Sequence, residues 1–427
     1  LVDETISAAL RAALGEVVGE VLEVPNSQHG EARLLEPTVA PVALDPVYVL
    51  FTSGSTGRPK GVEVGLAAFL NHLEMVREHL DLRPGEAVAQ TAPLGFDVHV
   101  WQALVPLVGA TAVVFETELR DPEELLAGVE RHGVSILELV PSYLRATCDL
   151  LDTRPEVVSR TAAVRHLLTT GEALEPALLP RLRAAFPYAT ITNAYGPAEA
   201  ADDVALQVLD DGPVVPIGHP ARNVELLVVD RWQRVRPLGL SGELLICGPV
   251  LANGYVVEGR TVPFGEHPYR RGERGYATGD VVTLTREMGL LFHGRVDDQV
   301  KLAGRRVELG EIEAALLSVP GVRDAAVLLT VGDAPARGRL HALAVLADGV
   351  EVEEVRLRLV QLVPDFMVPR HVQQVTEDLL QARGWTVGNA PTRGEIMAQV
   401  DEGFAYNPGT AHLHALADKS ISSLEAA

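Results

Sequence analysis

Between residues 47 and 203, short apolar runs alternate with longer amphipathic stretches. The runs fall at 87–91, 111–115, 134–140, 164–169 and 190–194, and helical spacing of apolar positions fills 66–80, 122–132 and 176–186. This predicts a mostly parallel sheet covered by helices, because parallel neighbours need a crossover long enough to be helical. From 215 to 293 the texture changes to short apolar runs broken by Gly and Pro (VELLVVD, GELLICG, GLLFHGR), which predicts a β-rich part. After Gly294 it changes again: a helix over 308–317, strands over 322–329 and 341–346, and a helix over 352–362, a small α+β unit. The fold class is α/β, a large N-terminal domain of mostly parallel sheet with a β-rich subdomain, then a small C-terminal α+β domain. The expected segments are 1–46, 47–214, 215–296, 297–380 and a divergent tail, 381–427. Residues 6–21 carry apolar positions at mixed helical spacing, and a Pro-rich connector leads to Asp45.

One stretch organises the rest: YVLFTSGSTGRPKGVEV, residues 48–64. Tyr48 to Phe51 reads as a buried strand. The loop that follows has the chemistry of a phosphate cradle. Gly54 and Gly57 allow backbone N–H groups close to an anion, Thr52, Ser53, Ser55 and Thr56 supply hydroxyls, and Lys60 adds a mobile positive charge. No Ser or Thr follows the lysine, so this is not the common G-x-x-x-x-G-K-[ST] nucleotide loop.

Charge narrows the partners. A formal net charge of -22 argues against a nucleic-acid or anionic-membrane partner, since both need basic patches. The two cysteines, Cys148 and Cys247, lie in apolar runs and read as reduced core residues of a cytoplasmic protein. There is no membrane-length apolar run and no secretory signal.

TSGSTGRPKG closely resembles the phosphate loop of the adenylate-forming superfamily, which includes acyl- and aryl-CoA synthetases, luciferases and the adenylation domains of nonribosomal peptide synthetases. Further motifs of that family follow in order. FDVHVWQ (96–102) places Asp97 where the amino-acid-activating members pair the α-ammonium of their substrate; fatty-acyl and aryl activators need no such carboxylate. TTGEAL (169–174), with Gly171 and Glu172, resembles the adenine-contacting segment. In NAYGPAEA (193–200), the resemblance puts Asn193, Ala194, Tyr195 and Gly196 around the adenine, and Glu199 on Mg²⁺. YATGD (276–280) matches the ribose motif, with Asp280 on the ribose hydroxyls. GRVDDQVKLAGRRVELGEIE (294–313) brings Arg295 near ribose and phosphates, Asp297 to the hinge, and Lys301, Gly304, Arg306 and Glu308 to the loop facing the site in the second half-reaction.

The resemblance implies ATP and Mg²⁺ as cofactors, an amino-acid substrate, and a peptidyl carrier protein whose phosphopantetheine thiol takes the acyl group. A small activator protein is a further partner of many such domains. Lys60, Thr56, Lys301 and Arg295 are the implied catalytic groups. The family's pocket positions fall on Asp97, Val98, Trp101, Glu138, Leu168, Thr170, Ala194, Asp202 and Asp203. Glu138 lies in an apolar run, ILELVP, where a lone charge is costly. Three carboxylates beyond Asp97 repel one another unless a cation sits among them. The expected substrate is therefore a basic amino acid of the 2,4-diaminobutyrate type, with ornithine, lysine and arginine as alternatives.

The chain also departs from the family. The segment before the loop is much shorter than the family's, so much of the first subdomain is expected to be missing. Ala198 replaces the usual Thr. After MVPR (367–370) the expected lysine motif is replaced by TVGNAPTR (386–393), which puts Ala390 at the lysine's place, with Arg383 or Arg393 as partial substitutes. The tail ADKSISSLEAA, with Ser420, faintly resembles a carrier attachment site and otherwise reads as an amphipathic or disordered tail. Two alternatives follow: a degenerate module that binds nucleotide without adenylating, and an acyl- or aryl-CoA ligase, which Asp97 argues against.

Overall fold

The computed structural model describes residues 42–53, 59–115, 121–297, 299–302, 304–330 and 339–374. Strands β1 (Pro46–Thr52) and β2 (Lys60–Gly65) form an antiparallel pair with Thr52 opposite Lys60. This corrects the expectation of a buried strand. β1 is the edge of a four-stranded sheet, and its side chains alternate, leaving Val49 exposed and Phe51 69% exposed. Alternation is what an edge strand with one covered face produces. The covered face holds Tyr48, whose ring meets Phe69 edge-on at 6.2 Å. Residues 54–58 lie outside the described residues, so the readings of Gly54, Ser55, Thr56 and Gly57 do too.

Helix α1 (Leu66–His79) leads into the main sheet. Its elements are β3 (Ala87–Gln90), α2 (Asp97–Leu104), β4 (Thr111–Val114), α3 (Pro122–His132), β5 (Val134–Leu139), α4 (Pro141–Thr153), β6 (His166–Thr169), α5 (Leu179–Ala185), β7 (Thr190–Tyr195), β8 (Ala205–Val208) and β9 (His219–Pro220). The order is β4-β3-β5-β6-β7-β8-β9, with β4 to β7 parallel and the last two antiparallel. α3 starts where its sequence says: Asp121 accepts from Glu123 N at 2.9 Å, and Pro122 occupies the first turn, where no N–H is needed. α5 starts later than expected, at Leu179 after a 3₁₀ turn, because Pro180 fits only the first turn of a helix.

Both sheet faces are covered. Leu137 and Leu167 join Leu125, Leu144 and Phe186 on one face, while Ile136 and Leu168 join Phe69, Leu73 and Trp101 on the other. The strand period of two therefore puts Glu138 on the Ile136 face, directly beside Leu168 in the ladder.

The β-rich part adds β10 (Glu225–Val229), β11 (Ser241–Cys247), β12 (Gly254–Val257), β13 (Arg260–Val262), β14 (Gly275–Thr285) and β15 (Gly289–Arg295). Four of these form an antiparallel sheet, β10-β11-β14-β15, and the β12–β13 hairpin pairs with β2. The ribose-motif residues Tyr276 to Asp280 lie inside β14, with Asp280 opposite Arg295 of β15. Both cysteines are buried and unpaired. Cys247 stands near Glu225 and His267, yet this is a hydrogen-bonded cluster. Backbone N–H groups of Tyr269 and Arg270 donate to His267 Nδ1, which leaves Nε2–H to face Glu225 at 3.1 Å, and burial pushes the Cys247 thiol up to about 11.

The small C-terminal unit consists of β16 (Gln299–Leu302), β17 (Arg305–Glu308), α6 (Leu309–Ser318), β18 (Val322–Thr330), β19 (Arg339–Leu346), α7 (Val352–Leu359) and β20 (His371–Gln374). Its core joins Ile312, Leu316, Ala344, Leu359 and Met367. β20, which the pattern did not reveal, pairs parallel to β19. Arg383, Ala390, Arg393 and Ser420 lie outside the described residues. Among the described residues, no helix is long and apolar enough to cross a membrane.

Candidate active site

The carboxyl ends of β5, β6 and β7 face the start of α2, and four carboxylates converge there, as ligand-binding groups do at strand ends of such sheets. Asp97 is the first residue of α2 and Phe96 precedes it as N-cap, so Asp97 is not itself the cap; its Oδ1 accepts from Val98 N at 3.0 Å. Glu138, 2% exposed, takes Trp101 Nε1–H at 3.1 Å and Gln102 Nε2 at 3.4 Å on Oε2, while Oε1 has no hydrogen-bond partner among the described residues. Thr170 Oγ1 donates to Asp203 Oδ1 at 3.4 Å. Asp202 lies beside Asp203, and both are buried. Leu168 and Ala194 are buried apolar members of the adjoining strands, and Val98 packs against the same apolar cluster as Trp101.

Electrostatics follows from this crowding. Burial, with Glu199 adding to it, pushes Asp97 up to about 6 against the backbone N–H bonds and Lys301. Burial and then Asp97 push Asp203 up to about 7, against Thr170 and Lys301. Glu138 and Asp202 are pushed well above the carboxylate range, first by burial and then by Asp203. Negative charge in this pocket is costly until a cation enters.

A cavity of about 260 Å³ opens beside it, lined among others by Gly171, Glu172, Asn193, Ala194, Tyr195, Gly196 and Lys301. The predicted adenine-contacting residues thus share one cavity, while Thr52, Ser53, Asp280 and Arg295 are not among its lining residues, and several of the set are already engaged. Asn193 Nδ2 donates to Pro216 O at 2.8 Å, which pins β7 rather than reaching into the cavity. The Tyr195 hydroxyl donates to Asp280 Oδ2, and Arg295 Nη1 holds Asp280 Oδ1 at 2.7 Å. Arg295 also forks onto Asp297 at 2.7 and 2.8 Å. Lys301 Nζ lies 5.9 Å from the Tyr195 ring centre. Gly196 is required by crowding: a Cβ there would sit 1.8 Å from Asp202 O.

Lys60, opposite Thr52, has its Nζ 5.5 Å from the Tyr255 ring centre, and the Tyr255 hydroxyl donates to Glu199 Oε1 at 2.7 Å. Glu199 is 0% exposed. Its other partner comes from the small unit: Arg306 Nη1 donates to Oε1 at 3.0 Å and Oε2 at 3.3 Å. Two more bonds hold the same loop. Ser53 Oγ donates to Arg306 O at 3.0 Å, and Gly304 N donates to Glu172 Oε1 at 2.7 Å. Glu172 also caps the start of α4 through Ser142 N at 2.8 Å, so its carboxylate is a clamp between the two parts rather than an open adenine contact.

Four contributors were not singled out from sequence: Gln102, Ser142, Tyr255 and His72. Gln102 accepts from Thr91 N at 2.8 Å and Ala92 N at 3.1 Å, which shapes the turn before Asp97. A polar residue inside the apolar stretch VWQALV was the available signal.

A large α/β part whose strand ends meet a small α+β unit across a nucleotide-sized cavity is the architecture of an adenylate-forming ligase. The chain belongs to the AMP-binding enzyme family: that family's model matches residues 4–256, and the model of its C-terminal domain matches 311–383. It is an adenylating ligase, and its relatives are nonribosomal peptide synthetases. It is 33% identical over 345 residues to tyrocidine synthase 3 of Brevibacillus parabrevis, covering 80% of this chain and 5% of that one. It is 35% identical over 428 residues to enterobactin synthase component F of Escherichia coli, covering 93% and 32%. The chain thus spans a small part of these relatives. Among solved structures it resembles an NRPS protein containing adenylation and PCP domains, at 25% identity and TM-score 0.70, covering 88% of this chain and 79% of that one.

Proposed function

We propose that this chain activates a basic amino acid of the 2,4-diaminobutyrate type. The observation that carries this reading is the convergence of Asp97, Glu138, Asp202 and Asp203, all with raised affinity for protons. Asp97 pairs the α-ammonium. Glu138, Asp202 and Asp203 receive the side-chain cation, with Val98, Trp101, Leu168, Thr170 and Ala194 shaping the pocket.

ATP occupies the neighbouring cavity, with Tyr195 against the adenine and Asp280 on the ribose once its present bonds open. Thr52, Ser53, the 54–57 loop and Lys60 hold phosphates. The substrate carboxylate attacks the α-phosphorus, the bond to the β-phosphate oxygen breaks, and pyrophosphate leaves. A single buried carboxylate suits a magnesium ion that keeps water and phosphate oxygens. Glu199 fits this role, because both its oxygens already face a positive group, the Arg306 guanidinium. The metal, when bound, would neutralise phosphate charge there. Catalysis is otherwise alignment and charge neutralisation.

In the second step the thiol of a carrier protein's phosphopantetheine attacks the acyl carbon and AMP leaves. The contacts of Ser53, Glu172 and Glu199 with 304–306 support reading this arrangement as the one that serves that step. The domain division proposed is 47–214, 215–296 and 297–380, with 297 as the hinge.

ATP–pyrophosphate exchange across an amino-acid panel tests the reading. Stimulation by diaminobutyrate over neutral amino acids is expected. Exchange with neutral residues alone removes the basic specificity. A folded chain that binds ATP without any exchange indicates the nucleotide-binding module instead.

A further inference from the structure

One polar group interrupts the apolar wall behind the carboxylate pocket. α1 lays Phe69, Leu73 and Val76 into the same cluster as Trp101, Ile136 and Leu168. In the middle of that face sits His72, 4% exposed. Neither of its ring nitrogens has a hydrogen-bond partner among the described residues. Asp202 Oδ2, which also has none, lies 3.5 Å from His72 Nε2. A buried imidazole and a buried carboxylate oxygen are each costly without a partner. Here the two stand face to face. Asp202 sits in a constrained turn: Ala201 and Asp202 both have positive φ, and its carbonyl lies so close to Gly196 that no Cβ fits there.

We propose that His72 is a positioning residue that selects for a cationic side chain: its neutral ring carries the proton on Nε2 and turns it toward Asp202 Oδ2, so that the carboxyl is oriented for the substrate cation and ionises more readily than it would without that donor. This rests on the basic-substrate reading above. Burial keeps the ring neutral, pushing it down to about 4 against a smaller opposing pull from the Asp203 backbone. A neutral ring is the useful state, because it offers one N–H without adding a positive charge that would compete with the substrate. The other groups that act on this pair are Asp97 of α2, Glu138 of β5, Asp203 of the same turn, and the Tyr48 hydroxyl of β1. All but Tyr48 are carboxylates that raise the cost of ionising Asp202, which is why a dedicated donor behind it matters.

The test is calorimetric binding of 2,4-diaminobutyrate and of 2-aminobutyrate, which lacks the side-chain ammonium, to the full chain. It is run near neutral pH in two buffers of different ionisation heat, which counts the protons released. The wild type is expected to prefer diaminobutyrate. His72→Leu should weaken diaminobutyrate about tenfold more than 2-aminobutyrate, the loss of one hydrogen bond to a charged group. It should also release more protons on binding, because Asp202 then ionises only when the ligand forces it. His72→Gln, whose amide can donate, should recover both values. Should the leucine variant not fold, His72→Met is read the same way. If the wild type does not distinguish the two ligands, the basic-substrate reading falls and this role with it. If it does, but the apolar variants keep the wild-type ratio and proton count, or glutamine fails to rescue, the role of His72 alone is overturned.

Discussion

Arg306 of the small unit donates at 3.0 Å to Glu199, a carboxylate of the large part that is 0% exposed. The pair joins the two parts. If Glu199 holds the metal of the first step, as proposed, Arg306 and that cation would satisfy the same carboxylate in turn. Removing the guanidinium leaves a buried charge that keeps the Tyr255 hydroxyl as a donor, and an uncompensated buried charge costs about 3–5 kcal/mol. Arg306→Ala should then lower carrier loading by tenfold or more while pyrophosphate exchange changes only a few-fold. Equal losses in both steps would refute the division of labour.

Gly304 tests the same docking sterically. Its φ is +74°, and a Cβ there would come within 2.4 Å of Val140 Cγ1. Gly304→Ala should reduce carrier loading by roughly tenfold, the strain of a left-handed residue adding about 1 kcal/mol to the clash. Adding Val140→Ala should recover the steric part only. Single-turnover thioester formation is the measurement.

The pocket carboxylates make a pH prediction with a definite sign. Asp97 and Asp203 hold their protons up to about 6 and about 7, above the ordinary aspartate value of 3.8. Across that window the folded chain binds more protons than the unfolded one, so ligand-free stability falls as pH rises. A cationic amino acid binds the ionised pocket, so its affinity rises over the same window. Thermal melts with and without diaminobutyrate, between about pH 5 and 8, should diverge as pH increases. A gap that narrows would contradict the charge assignment.

Glu138→Gln keeps an acceptor for Trp101 Nε1 and removes the charge. Discrimination between diaminobutyrate and leucine, read by pyrophosphate exchange, should drop about tenfold or more. The melting temperature should hold or rise, because a costly buried carboxyl is gone. An unchanged ratio would remove Glu138 from the specificity pocket.

The sequence by itself determined the layered α/β core, the β-rich part, the small α+β unit and the order of the motifs. These are recorded locally: strands and helices repeat apolar positions with periods that neighbouring residues display. It also made Glu138 conspicuous, since a charge inside an apolar strand is visible without a fold. Only the tertiary structure decided what depends on partners far away in the chain. Tyr48 to Phe51 looks buried as an isolated apolar run, but β1 has a strand neighbour on one side only and exposes Phe51. The second half of its hairpin, β2, is completed by β12, which no local pattern could pair with it. Glu172 and Arg306 carried motif assignments, yet their actual bonds join the two parts of the molecule. His72 is an ordinary helical position until α1 packs it against Asp202. Periodicity reports which face of an element is apolar; which charges then meet, and which are left to be answered by a substrate, is set by long-range packing alone.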